Sequence, residues 1–200
     1  MSDAWLHAVA ASPWLYLVLF GLVVGDAFLV VLPSETFVVA LGVLSAATGH
    51  PPLWAVIPVA AAGAVLGDFL CFRIGRQVGL DRWAWQRTGR VARAIARARA
   101  GVHRRPAILI LTARYIPFAR IAVNLAAGAS GLPMRVFLPL AAVAGTAWAV
   151  YNSLIGALLG RAIPDNPILA VVISVAVALA LGAAVDAIGS RLSRAGTPKS

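Results

Sequence analysis

Charge is what this sequence has least of. Asp, Glu, Lys and Arg make up 12% of its residues, against about 25% in a soluble domain. Hydrophobic residues supply 61%, and the mean hydropathy is +0.89. Those figures exclude an ordinary soluble globular domain and describe a polytopic membrane protein. Cysteine occurs once, at Cys71, which excludes an internal disulfide and leaves no companions for a thiolate metal site; its bland reading is small apolar filler in a helix. No metal-ligand cluster, phosphate-binding loop or dinucleotide fingerprint is present, so no cofactor is read. Residues 1–12 hold no Lys or Arg, and without a basic n-region no cleavable secretory signal is read.

What charge there is has a pattern. The formal net charge is +10, and Arg73, Arg76, Arg82, Arg87, Arg90, Arg93, Arg97, Arg99, Arg104 and Arg105 crowd one connecting region. In so apolar a chain this is a cytoplasmic loop under the positive-inside bias and not a nucleic-acid site. Leu80, Trp83, Val91, Ile95, Ala98 and Val102 fall near one helical stripe. Residues 79–105 thus read as a basic amphipathic segment lying on an anionic leaflet, or equally as a solvated loop helix. Ala-rich, nearly lysine-free usage points to a high-GC bacterial source.

The length allows about five or six embedded segments at roughly 20 residues each. The first starts at Pro13 and, counted back to Trp5, is long enough to span, with Gly21 and Gly25 spaced for close helix contact. Residues 53–72, 136–159 and 168–188 read as further spans. With the basic loop and the tail (Arg191, Arg194, Lys199) inside, both termini are cytoplasmic. Two other segments are interrupted. Residues 25–48 contain Asp26, the Pro33-Ser34-Glu35 break and then apolar sequence to Thr48. Residues 106–129 contain Arg114, Pro117, Arg120 and Asn124. They would enter from opposite sides, each followed by a full span. The expected fold is therefore all-α: two oppositely inserted re-entrant helical hairpins, each followed by a transmembrane helix, plus flanking helices, in one domain over 1–200. Inverted units with broken helices meeting at the midplane are a recurrent transporter plan.

Arg114 and Arg120 stand six residues apart, roughly 240° net on an unbroken helix, so only a break would turn both to one side. Pro117 supplies one by removing a donor and disfavouring helix at Ile116. Asp26 and Glu35, roughly 180° apart, flank Pro33 in the same manner. An arginine at the bilayer centre costs about 2.5–3.5 kcal/mol on insertion scales, so two of them call for a partner or a ligand. Carboxylates and guanidiniums are natural mutual partners, and an arginine can release its acid for a phosphate. Desolvation favours a neutral carboxyl, which makes Asp26 and Glu35 candidate proton-coupling groups. Fixed structural ion pairs would explain the same residues.

Asp68 would pair with Arg73 or Arg76 or cap a helix dipole, and is otherwise a third proton-coupling candidate. Asn124 would satisfy freed backbone at the break or bind a headgroup. Asn152 would pack helices through a hydrogen bond. Gly128-Ala129-Ser130-Gly131 matches the G-x-S-G of intramembrane serine proteases. The histidines His7, His50 and His103 all lie outside good spans, so no enzyme is read, and close packing explains the small residues.

Arg114-Tyr115-Ile116-Pro117-Phe118-Ala119-Arg120 before an Ala-Gly-rich run resembles the signature of the DedA family, the SNARE-associated or VTT-domain superfamily. Pro33-Ser34-Glu35, Gly67-Asp68, Ile74-Gly75-Arg76 and the Trp148, Gly156, Gly160 span support it over about residues 20–160. Asp26 stands where the family usually has Glu, and Phe72-Arg73 replace an aromatic just before the Ile-Gly-Arg motif. The resemblance implies that Glu35, Asp26, Arg114 and Arg120 occupy functionally important positions. It implies an inner-membrane protein tied to envelope integrity and proton-motive force. Some relatives are implicated in returning undecaprenyl phosphate across the membrane; eukaryotic ones scramble phospholipids. The expectation is a proton-coupled lipid-phosphate translocase in which Arg114, Arg120 and Asn124 bind substrate. The rivals are a proton-coupled transporter of a small solute or cation, and a non-transporting membrane organiser. Expected partners are membrane lipids, a phosphorylated polyprenol foremost, no nucleic acid, and a second copy if the glycine pairs serve a dimer.

Overall fold

The computed structural model of the chain describes residues 12–29, 33–79, 99–114 and 117–162, and singly 173 and 176. Every regular element among the described residues is helical: α1 Pro13–Asp26, α2 Ser34–Thr48, α3 Leu53–Val78, α4 Pro106–Ala113, α5 Pro117–Ala129 and α6 Met134–Ala162. A short helical stretch at 99–104 precedes α4. Most of the basic 79–105 segment, the residues before Ser12 and the 168–188 span lie outside the described residues.

Proline sets the starts. Each helix begins at a proline or directly after one: Pro13, Pro33, Pro52, Pro106, Pro117 and Pro133. Its fixed φ suits the first turn, where its missing N–H costs nothing. Glycine sets two ends: Gly49 takes φ 76° after α2, and Gly79 takes φ 71° after α3, a region open to a residue without Cβ.

Length separates the helices into two kinds. Among the described residues, α3 with 26 residues and α6 with 29 are the helices long and apolar enough to cross a bilayer, at about 39 and 44 Å for 1.5 Å per residue. α1 and α2 have 14 and 15 residues, roughly 21–23 Å, short of the ~30 Å hydrocarbon core.

Small residues set the packing. α1 and α3 run side by side in one direction, with Gly63 against Phe20 and Val23, and Gly67 against Val24 and Ala27. α3 and α5 also run in one direction, Asp68 meeting Arg120 and Asn124 while further along Arg76 meets Gly128; Gly75 lies on Leu125 and Gly128 on the Phe72 carbonyl. α2 and α6 do the same, Gly156 meeting Val39 and Gly160 meeting Val43. α3 and α6 oppose each other: Gly145 faces Ala61, Ala64 and Val65, while the Phe72 and Phe137 rings stack at 4.3 Å. Exchanging α1–α2–α3 with α4–α5–α6 maps the α2–α6 contact onto α5–α3, and α1–α3 onto α4–α6. All four contacts are present.

Two expectations change. Gly156 and Gly160 serve packing inside the chain, whereas Gly21 meets nothing within 4 Å. The first interruption is also wider than drawn: Asp26 ends α1 and Ser34 starts α2. α1 is therefore the arm that leads into the interruption. A buried cluster of Leu15, Leu19, Val23, Val56, Ala60 and Trp148 backs that arm, and Phe72, Ile110, Ala127 and Phe137 anchor the opposite end. The interrupted ends of both halves thereby arrive at the level of Asp68 on α3.

Candidate functional site

Asp68 is the centre of what assembles there. It sits on the face of α3 that α5 covers and is 3% exposed. Its Oδ2 accepts from Nη1 of Arg114, the residue that closes α4 and is itself 5% exposed. Its Oδ1 accepts from Asn124 Nδ2 at 2.9 Å and lies 4.0 Å from Arg120 Nε. Arg120, one turn into α5, donates through Nη2 to the Asp26 carboxylate at 3.0 Å and to the Asp26 carbonyl at 2.7 Å. The break before Pro117 thus turns both guanidiniums to the same place, and α1 delivers its last residue to them.

Two cations and two anions occupy this cluster, so its formal charge is zero. The two acids are bound differently. Both Asp68 oxygens accept strong bonds in a buried setting, whereas Asp26 accepts through Oδ2, and its pair with Arg120 keeps side-chain exposures of 14% and 11%. The guanidiniums are not filled. Arg114 Nε and Nη2 and Arg120 Nε are buried and have no hydrogen-bond partner among the described residues. On Arg114 the two free nitrogens form one edge of the planar fork, the edge that grips carboxylate or phosphate with two parallel bonds.

Several expected roles are corrected. Asp68 does not pair with Arg73 or Arg76, which are exposed on the same helix; its partners come from α4 and α5. Asn124 spends its amide on Asp68 and not on freed backbone. Glu35 forms no ion pair with either arginine among the described residues. It is exposed at the start of α2 and accepts from Trp148 Nε1 at 3.3 Å. Asn152 donates to the Trp148 carbonyl of its own helix at 2.9 Å, so it braces one turn and does not bridge two helices. Cys71 is buried, with its Sγ 3.3 Å from the Ala27 carbonyl. His103 does approach Ser130, but its Nε2 lies 2.9 Å from the Ser130 carbonyl oxygen, while the hydroxyl donates to Ala127. That is no nucleophile–base pair.

One participant was not singled out. Trp148 meets Glu35 at its edge, and its ring face lies 5.3 Å from the Arg114 guanidinium. The signal was available: a tryptophan in mid-span, away from the interfaces where Trp is enriched, has a buried N–H that needs an acceptor.

Comparison with known proteins bears on the same stretch. A family model described as the VTT domain matches residues 32–158. An uncharacterized membrane protein of Mycobacterium tuberculosis is 32% identical over 131 residues, 64% of this chain and 58% of that protein. The inner membrane protein YohD of Escherichia coli is 30% identical over 119 residues, 60% of this chain and 61% of YohD. The chain thus spans about three-fifths of the length of these curated relatives. No solved structure matches the chain.

Proposed function

The chain belongs to the VTT-domain family, that of the DedA membrane proteins, and on that premise we propose that it carries a lipid phosphate across the membrane together with protons. The substrate class is an undecaprenyl-phosphate-like carrier or a phospholipid. The observation that carries this reading is the unpaired edge of Arg114, together with the unpaired Arg120 Nε, in a buried cluster whose charges already balance. Unpaired guanidinium donors at such a place suit an oxyanion with several acceptor oxygens.

Charge balance then dictates coupling. An anion added to a neutral cluster leaves it negative in a medium that penalises unpaired charge. Protonating a carboxylate restores neutrality. Asp26 is the acid suited to yield, being the less buried and the less fully bonded of the two. Arg120 would exchange Asp26 for the phosphate while Asp68 and Asn124 hold Arg114 in place. Asp68 then belongs to the scaffold of the site more than to its proton traffic, and Glu35 acts from the edge.

In this reading α1–α2 and α4–α5 are the two oppositely inserted re-entrant hairpins, and α3 and α6 are the spans that follow them. The short helices and the exchange of contacts between the halves support it. The basic 79–105 segment lies on the anionic inner leaflet with the C-terminal tail. With α1 as a hairpin arm, Pro13 falls on the side of Thr48, opposite the basic loop. The location is the bacterial inner membrane.

Reconstituted vesicles test the proposal. Arg114→Ala and Arg120→Ala abolish movement of a polyprenyl phosphate between leaflets, and Arg→Lys at either position impairs it, because an ammonium lacks the two-pronged edge. Wild-type movement with both arginines replaced ends the proposal. Proton-driven solute uptake without lipid-phosphate binding would instead favour a small-solute transporter.

A further inference from the structure

Trp148 holds two groups of opposite charge at once. Its N–H donates to Glu35 Oε1 on α2, and its ring face takes the Arg114 guanidinium at the end of α4. The side chain is 3% exposed, whereas Glu35 is exposed. An indole has one donor and no acceptor, so Glu35 is the polar partner that, with the apolar packing around it, fixes the rotation of the ring about its long axis. That rotation decides whether a π face or an edge is offered to Arg114. Attraction to a cation belongs to the face.

We propose that Trp148 is a positioning residue that couples the charge state of Glu35 to the readiness of Arg114 to bind an anion. The inference rests on reading the cluster as a lipid-phosphate site. Ionised Glu35 holds the N–H in a charge-assisted bond, about twice as strong as a neutral one. The ring is then fixed beneath Arg114, Nη1 is fixed on Asp68, and the Nε–Nη2 edge stays presented. When Glu35 takes a proton that bond weakens, the ring is held by its apolar packing alone, and one of the two supports that aim the guanidinium slackens. An exposed acid thus gates a buried cation without touching it. The other charges on the elements packed around this link are Asp26 on α1, Asp68 on α3, with Arg73 and Arg76 exposed further along the same helix, and Arg120 on α5. α6 itself carries charge only near its ends, at Arg135 and Arg161.

A double-mutant cycle on the full chain in phosphatidylcholine nanodiscs tests it, with farnesyl monophosphate as the probe and affinity measured across a pH series. Trp148→Phe keeps a ring face and loses the N–H; Glu35→Gln keeps a neutral acceptor. Each single variant weakens binding about tenfold at high pH, the size of a lost cation–π support, and each flattens the pH profile. The double variant is no weaker than either single one. Losses that multiply to about a hundredfold on the scale of independent sites, or a wild-type pH profile in Trp148→Phe, overturn the coupling. Arg114→Ala separates the two levels. Lost binding in Arg114→Ala with multiplying singles sinks only the role of Trp148, whereas retained binding sinks the lipid-phosphate site itself. Fluorotryptophan labelling of the otherwise wild-type chain gives a reading that needs no substitution at 148, its signals assigned by replacing the other tryptophans. The Trp148 resonance moves with pH and stops moving in Glu35→Gln; a resonance that ignores Glu35→Gln contradicts the link.

Discussion

Asp68→Asn separates scaffold from exchangeable charge. The substitution keeps the shape and one acceptor oxygen but removes the negative charge that Arg114 and Arg120 share. Arg114 is 5% exposed and makes its only ion pair among the described residues with Asp68. Breaking a buried pair from one side costs about 3–5 kcal/mol because the remaining charge stays buried. An Asn oxygen still accepts, so the lower end, about 3 kcal/mol, is expected. At about 2–4 °C per kcal/mol for a chain of this size, the melting temperature falls by roughly 6–12 °C. Asp26→Asn behaves differently. Arg120 keeps the Asp26 carbonyl at 2.7 Å, and the pair it loses is partly exposed; the cost stays near 1 kcal/mol or below, roughly 4 °C at most. Thermal unfolding of both variants in the same mild detergent, followed by monodispersity, gives the comparison. Asp68→Asn/Arg114→Gln should recover part of the loss, since the orphaned charge is gone. Equal losses for the two single variants, or a harmless Asp68→Asn, refute the assignment of Asp68 as the anchor.

The helix contacts and the lone thiol make further predictions. A Cβ at Gly128 overlaps the Phe72 carbonyl, and backbone cannot step aside as a side chain can. Gly128→Val therefore forces α3 and α5 apart at a cost of at least about 1–3 kcal/mol, read as lost folded yield. Gly21→Ala meets nothing within 4 Å and gains up to about 1 kcal/mol of helix stability, read as an unchanged or raised melting temperature; a loss there means that α1 packs more closely than described. Cys71, buried and without another cysteine in the chain, resists a membrane-permeant maleimide until the protein is denatured. Rapid labelling of the native chain contradicts the α1–α3 contact.

Much of this arrangement was legible because proline and glycine act locally. Pro33 and Pro117 marked both interruptions, and the need to satisfy Arg114 and Arg120 in lipid called for acids nearby. Which acids was not legible. Asp68 and Arg114 are 46 positions apart, and only the close approach of α3 and α5 at Gly75 and Gly128 brings them together. The tempting local choice, Arg73, lies five residues from Asp68, about 140° around the same helix, and faces away. Pro33 also marks the first interruption too narrowly. Asp26 closes a helix that sequence alone extends upstream to Trp5 as a span, and the break after it runs on to Ser34. Glu35 was read as an arginine partner from its charge. The structure instead gives it to Trp148, whose indole N–H donates to it from α6.

Proton counting bears most directly on the exchange of carboxylate for phosphate at Arg120. In lightly buffered nanodiscs at a pH where the free ligand is a monoanion, binding of a short polyprenyl phosphate should draw about one proton per site, the charge needed to keep the cluster neutral. Uptake should vanish in Asp26→Asn. Binding with no proton uptake in the wild type, or with the same uptake in Asp26→Asn, would contradict the account.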